Sequence, residues 1–151
     1  MKTALYIFPA LIAAITLFMV VQNFRTPSGL GVADGRLAPV PGSPNAVSSQ
    51  ADDPEKKVAP IPFSGSLEQT RALVKKALEA HGNIEIKQED RDYIHAVSTS
   101  PRMRFKDDLE FYFNETERLV HFRSASRVGY SDLGVNRARY DRLAALLAKA
   151  D

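Results

Sequence analysis

The chain of 151 residues is 44% apolar and 25% charged, a composition typical of one globular domain. Of its 20 Lys and Arg residues, Lys2 and Arg25 flank an apolar N-terminal segment, so the remaining 18 balance the 18 Asp and Glu residues. A neutral body excludes the extended basic face that nucleic-acid binding requires, and the absence of cysteine excludes a disulfide, a thiol nucleophile and a Cys-ligated metal. The three histidines lack metal-ligand spacing, so no metal or cofactor is expected.

The first predicted element is an N-terminal transmembrane helix. Residues Thr3 to Val21 contain no charge, and a helix of that length rises about 28 Å, close to the hydrocarbon thickness of a bilayer. The segment is not followed by a small-x-small cleavage site, which favours an anchor over a cleaved signal peptide. The sequence therefore predicts residues 1–24 as a single-pass anchor that contacts the cell membrane through residues 3–21. The domain is expected outside the cytoplasm, on the periplasmic side in a bacterium.

Residues 25–59 form a predicted linker. Seven of the nine prolines lie between Pro27 and Pro62, together with four glycines, and this composition disfavours both helices and central strands. The stretch from residue 35 to residue 49 is specific rather than repetitive. We therefore expect the linker to be partly packed from residue 35, as ordered coil along the domain.

Residues 60–151 contain the predicted α+β domain. Ser66 and Gln69 match a capping box that begins a helix, and Gly82 ends it. Four runs rich in β-formers follow, and Asn136 is the predicted cap of a last helix. The order helix, four strands, helix predicts a two-layer fold with a four-stranded antiparallel sheet and two flanking helices. One face of the sheet should carry the helices, and the other should be partly polar.

The segment from residue 123 to residue 139 is not explained by core or turn patterning. It contains four arginines, several hydroxyls and two glycines, and it leads into the last helix, an arrangement that suits an anion. The predicted ligand-binding residues are Ser124, Ser126, Arg127, Tyr130, Asn136 and Arg137. The predicted supporting acids are Asp107, Asp108, Glu110 and Asp132. The alternative is that the arginines pair with the acids of the neighbouring strand and order the loop.

Three motifs carry a family resemblance. They are the run from Arg123 to Arg137, the run Arg104-Phe-Lys-Asp-Asp-Leu-Glu-Phe111, and Pro44-Asn-x-Val-Ser-Ser49. Together they resemble the domain of unknown function 1499 family over about residues 35–147. The resemblance implies a cell-envelope or plastid protein and no defined activity. The family pattern has cysteines where this chain has Val40 and Ala46, so whatever the pair does in relatives is absent here.

An enzyme is not the expected function. No G-x-S-x-G elbow accompanies His95 or His121, and Asp107 should point away from Asp108 and Glu110, which disfavours a shared metal site. The favoured hypothesis is a binding or interaction module whose partner is an anionic ligand or an envelope protein. A structural envelope component and a hydrolase are the alternatives.

Overall fold

The computed structural model describes residues 2–149, with side chains described from residue 8 onward. The helices are α1 (Lys2–Phe24), α2 (Leu67–His81) and α3 (Val135–Ala148). The first four strands are short: β1 (Val32–Ala33), β2 (Arg36–Leu37), β3 (Ala46–Ser48) and β4 (Ile61–Pro62). The other four form the body of the sheet: β5 (Ile84–Glu89), β6 (Tyr93–Thr99), β7 (Lys106–Asn114) and β8 (Leu119–Ser126).

The prediction of an N-terminal transmembrane helix is wrong. Helix α1 forms, but within the described part of the chain no helix is long and apolar enough to cross a membrane. Its described side chains begin at Phe8, and the last turn belongs to the domain because Asn23 is buried there.

The prediction of a four-stranded sheet is also wrong, because the antiparallel sheet has six strands. Five strands follow the order β3-β8-β7-β6-β5. The sixth strand, β4, pairs directly with β8 on the same edge as β3, opposite residues 119 and 120. The additional strands are short pieces of proline-rich chain that pair with the outer edge of β8, for example Ser48 opposite Arg123 and Ile61 opposite Val120. An unpaired edge strand offers its N–H and C=O groups to any extended segment, even a short one. Strands β1 and β2 form a separate two-stranded ribbon.

The helix ends follow local capping chemistry. The predicted capping box of α2 is confirmed: Gln69 N donates to Ser66 Oγ (3.2 Å), and Ser66 N donates to Gln69 Oε1 (2.7 Å). The prediction that Asn136 caps α3 is wrong, because the cap position is Gly134 and Asn136 lies inside the first turn. The Asp132 carboxylate accepts from Gly134 N (3.0 Å) and Asn136 N (2.7 Å), so it satisfies the orphan N–H groups instead.

Both faces of the sheet are buried, but they differ in chemistry. Helices α2 and α3 cover an apolar face that includes Leu109, Phe111 and Phe122, each at most 1% exposed. The opposite face carries polar side chains. We call residues 23–50 the N-terminal segment: residues 46–48 extend the sheet as β3, whereas the earlier part, which includes β2, packs against β7 and β8 and covers the polar face. This cover is fixed by bonds such as Gly31 N to Glu110 Oε1 (2.8 Å).

Candidate functional site

Six polar side chains cluster on the face of the sheet beneath the N-terminal segment. Each is nine-tenths buried or is held in an ion pair with a buried partner, and we call the group the polar layer. Its members are Tyr93, His95, Asp108, Glu110, Arg123 and Arg127. Alternation along β6, β7 and β8 places the first five on this face, since residues two apart in a strand share a side.

Asp108 is the centre of one half of the polar layer. It is 1% exposed and accepts two bonds from Arg127, from Nε (2.9 Å) and from Nη2 (2.7 Å). His95 Nε2 lies 2.8 Å from Asp108 Oδ1, and an ionised carboxylate there assigns the proton to Nε2. Burial by itself raises the pKa of Asp108, but the hydrogen bonds from His95 and Arg127 outweigh burial and hold that pKa below its ordinary value.

Glu110 is the centre of the other half. Its side chain is fully buried, and it accepts from Tyr93 Oη (2.8 Å), Gly31 N (2.8 Å) and Arg123 Nη1 (2.7 Å). Burial, followed by the negative charge of Glu110, raises the pKa of the Tyr93 hydroxyl, so Tyr93 stays a donor. The carboxylate therefore connects β6, β8 and the N-terminal segment at one point.

Arg123 is the one member of the polar layer whose hydrogen bonding is incomplete. The residue is 8% exposed, and its Nε is the buried side-chain atom without a hydrogen-bond partner within the described part of the chain. Only Nη1 is engaged, so the edge formed by Nε and Nη2 is directed away from Glu110. A buried N–H without an acceptor costs about 1–3 kcal/mol. Such an edge is suited to a carboxylate or phosphate, which accepts two parallel bonds.

A cavity of about 1030 Å³ lies within the N-terminal segment, above this part of the sheet. Two of its lining residues are neighbours of the Glu110–Arg123 pair: Gly31 donates to Glu110, and Ser48 is the cross-strand partner of Arg123. Arg36 and Lys56 also line it. The cavity therefore lies next to residues that adjoin the Glu110–Arg123 pair, although neither member of the pair lines it.

A second polar cluster lies on the helix-covered side, and we call it the loop cluster. It comprises Asn45, Asp107, Ser124, Ser126, Asp132, Asn136 and Arg139. Asn136 is fully buried: its Oδ1 accepts from Ser124 Oγ and from Arg139 Nη1 (2.6 Å), and its Nδ2 donates to Asn45 O (2.9 Å). Arg139 also pairs with Asp107. The cluster joins β3, β8 and α3 and has its acceptors and donors matched internally.

The predicted ligand-binding residues therefore do not converge on one site. Ser124, Ser126 and Asn136 belong to the loop cluster, whereas Arg127 lies on the opposite face of the sheet with Asp108. Two other residues are separate from both clusters. Arg137 Nη2 donates to Glu55 O (2.8 Å) and Lys57 O (3.0 Å), and the Tyr130 side chain is 79% exposed.

The supporting acids are also divided between the two faces. Asp107 and Asp132 belong to the loop cluster, and Asp108 and Glu110 belong to the polar layer, as strand alternation predicted. The ion pairs are those of the alternative hypothesis, in which arginines pair with acids of the neighbouring strand.

Sequence reasoning missed four residues of these clusters: Tyr93, His95, Arg139 and, as a ligand-binding candidate, Arg123. Strand alternation could have placed the first two beside Glu110 and Asp108, because all four fall on one face of a β6–β7 pair. They were missed because the prolines of the N-terminal segment indicate a linker, so the sequence did not predict that this segment covers and buries this face of the sheet.

Metal binding and nucleophilic catalysis have little support in the geometry. Within the residues that the structure describes, no group of three His, Asp or Glu side chains is placed to hold a metal ion. Ser49 Oγ lies 3.3 Å from His121 Nδ1, and His121 Nε2 lies 3.1 Å from Glu117. However, Ser49 is 7% exposed and its Oγ accepts from Phe122 N (2.9 Å), so this chain of bonds fastens the N-terminal segment to β8.

The comparison with family models gives the chain a family. The model described as "Protein of unknown function (DUF1499)" matches residues 36–147, which is most of the chain. The chain belongs to the DUF1499 family. The matched range begins at β2 and ends near the end of α3, so it includes both the polar layer and the loop cluster. A comparison with curated proteins finds no match.

Proposed function

We propose that this domain is a binding module for a small anionic group, and that Arg123 is the residue that holds it. The observation that carries the proposal is the buried Nε of Arg123, which has no hydrogen-bond partner in the described part of the chain. This differs from the expectation from sequence, which assigned anion binding to a set without Arg123: Ser124, Ser126, Arg127, Tyr130, Asn136 and Arg137.

The arrangement around Arg123 favours an anion over a neutral ligand. Glu110 accepts a hydrogen bond from Nη1 and thereby holds the Arg123 side chain in place. The Nε and Nη2 atoms then form a preorganised pair of donors on the other edge of the guanidinium group. By contrast, Arg127 is engaged by a bidentate carboxylate and Arg137 by two carbonyl groups. Arg123 is therefore the arginine of this segment with donors available in a buried position.

A cavity close to this pair offers space for a ligand. It lies in the N-terminal segment, whose residues Gly31 and Ser48 adjoin the Glu110–Arg123 pair. Its volume, about 1030 Å³, exceeds what a phosphate or carboxylate group alone needs, which leaves room for the remainder of a metabolite-sized ligand.

The test is thermal unfolding of the full chain in detergent, with sodium phosphate or sodium acetate against sodium chloride at equal ionic strength. A ligand with a Kd of about 1 mM stabilises by about 1.4 kcal/mol at 10 mM, which raises the Tm by roughly 5 °C for a domain of this size. In Arg123→Lys the charge beside Glu110 remains but the planar fork is lost, so the rise should disappear. Circular dichroism checks that the variant is folded.

Arg137→Lys is the matched control, because it changes an arginine of the predicted loop site that lies outside the polar layer. Its Tm should still rise with phosphate. Equal stabilisation of the wild type and Arg123→Lys would contradict the proposal. Loss of the response only in Arg137→Lys would return the site to the loop, and no response in any protein would favour a purely structural domain.

A further inference from the structure

Between Phe8 and Val21, the surface of α1 is exposed and mostly apolar on all sides. Every residue from Phe8 to Val21 is exposed, and five consecutive side chains, Leu17 to Val21, are each between 39% and 65% exposed. Successive helix residues are about 100° apart, so five in a row point in all directions around the axis. A protein partner would cover one side of such a helix, whereas the apolar part of a lipid layer can contact a larger share of its surface.

A basic and apolar surface lies at the C-terminal end of this helix, and we call it the collar. It consists of Arg25, Arg102, Met103, Arg104, Phe105 and Lys106. Met103 and Phe105 are 67% and 41% exposed, although they are large apolar residues. Arg25, Arg102 and Arg104 are exposed and have no side-chain partner in the part of the chain that the structure describes.

The collar is fixed to the helix by Asn23. Its Nδ2 donates to Arg104 O (2.9 Å), and its Oδ1 accepts from Lys106 N (2.9 Å). Lys106 Nζ also lies 4.6 Å from the centre of the Phe24 ring. These contacts hold the turn between β6 and β7 against the end of α1, so the two segments form one surface.

We propose that the collar is a docking surface for anionic lipid headgroups, with the exposed apolar surface of α1 in contact with the apolar part of the same lipid layer. Exposed basic side chains beside exposed apolar ones are what an anionic lipid surface binds, through charge and through buried apolar area. This proposal concerns a surface distinct from the Arg123 cavity and goes beyond the proposed function.

Charge complementarity supports lipid as the occupant. Residues 22–28 and 100–106 contain no Asp or Glu, so nothing in these stretches neutralises the collar. The acids that follow directly, Asp107 and Asp108, are buried and are paired with Arg139 and Arg127. A cleft of about 470 Å³ between α1 and residues 127–129, lined by Arg25 and Ser28, adds space for a headgroup beside the collar.

The first experiment is flotation of the full chain with vesicles of phosphatidylcholine alone and with one quarter phosphatidylglycerol. Arg102→Gln combined with Arg104→Gln should weaken binding to the anionic vesicles roughly tenfold or more, since each basic residue near such a surface contributes about a factor of five. Binding to phosphatidylcholine should change little, because α1 is intact. High salt should reduce the wild-type preference for anionic vesicles in the same way.

The matched control removes two charges elsewhere. Arg142 and Lys149 are exposed residues of α3 and its end, also without a side-chain partner among the described residues. Arg142→Gln combined with Lys149→Gln should leave the anionic preference unchanged. Equal losses in the two double variants, or no loss in either, would overturn the collar as the docking surface.

A fluorescence measurement tests directly whether the collar contacts the lipid. The chain has no tryptophan, so Phe105→Trp provides a single reporter. Its emission should shift to shorter wavelength with anionic vesicles and be quenched by brominated lipids. An emission that is unchanged with vesicles, with the protein instead forming a discrete oligomer that does not float, would show that a second copy covers this surface and would refute the proposal.

Discussion

On the helix-covered face of the sheet Phe111 and Phe122 pack edge to face, with ring centroids 5.1 Å apart, whereas one position along the same strands Glu110 and Arg123 form an ion pair at 2.7 Å on the other face. Both pairs are buried, and in each the two residues lie directly opposite one another across β7 and β8. The aromatic pair is stabilised by burial of apolar area and by its edge-to-face contact. The ion pair must recover the cost of dehydrating two charges through close geometry and additional hydrogen bonds.

This difference explains why the N-terminal segment matters to the polar face. Glu110 obtains a third hydrogen bond from Gly31, and Arg127 donates to Asn23 O (3.3 Å) as well as to Asp108. The segment excludes water from the charges and at the same time supplies backbone partners to them. The aromatic pair requires no such partner, because α2 and α3 cover it with apolar side chains.

The largest expected effect is on the apolar face. Phe111→Ala should lower the free energy of unfolding by about 3–5 kcal/mol, since it removes a fully buried ring and leaves a cavity among Ile94, Leu109 and Phe122. Urea denaturation of the full chain in detergent measures it. A loss below about 1 kcal/mol would mean that this face is loosely packed.

The next effect tests the polar face at the neighbouring position. Glu110→Gln should cost about 3 kcal/mol, because it leaves Arg123 as a buried charge without its counter-charge. Combining it with Arg123→Met should cost less than the sum of the two single changes, with a coupling of about 1 kcal/mol or more in a double-mutant cycle. Additive costs would show that Glu110 and Arg123 do not stabilise each other, and would contradict the proposed difference between the two faces of the sheet.

A pH dependence should arise from Asp108 on the polar face. Because the folded-state pKa of Asp108 is lowered from an ordinary value of 3.8, its contribution to stability is present above that value and is lost as the pH falls through the lowered folded pKa. Asp108→Asn should therefore be less stable than the wild type at neutral pH but lose less stability on acidification. Parallel pH profiles of unfolding free energy for the two proteins would contradict this.

The smallest expected effect is that of an ion pair at the surface. Glu89 accepts from Arg71 (2.7 Å) and Lys75 (3.0 Å), yet its side chain is one-third exposed and hydrated. Glu89→Gln should change the free energy of unfolding by less than about 1 kcal/mol, and salt should reduce the difference further. A cost similar to that of Glu110→Gln would mean that burial does not distinguish the two kinds of pair.

Several elements were predictable from sequence because their signals are local. The Ser66–Gln69 capping box, the Gly82 stop and the alternation of Leu109, Phe111 and Phe113 depend on residues a few positions apart, and the structure confirms each. The family was also recognisable from its motifs. The cap of α3 was assigned incorrectly because Asp132 and Asn136 are both good capping residues, and only the burial of Asn136 by α3 and β8 decided between them.

What the sequence by itself determined is the order of helices and strands in residues 67–148 and which side of each long strand is apolar, since both follow from periodicity and caps. Only the tertiary structure decided that β3 and β4 enlarge the sheet, that the polar side is buried, and that Arg127 and Ser124 lie on opposite faces. Pairing across 70 or more residues leaves no local pattern, because a short extended segment such as residues 46–48 acquires its strand geometry from β8. The buried charges of the polar layer likewise acquire hydrogen-bond partners from residues that are distant in sequence, such as Gly31 for Glu110 and Asn23 for Arg127.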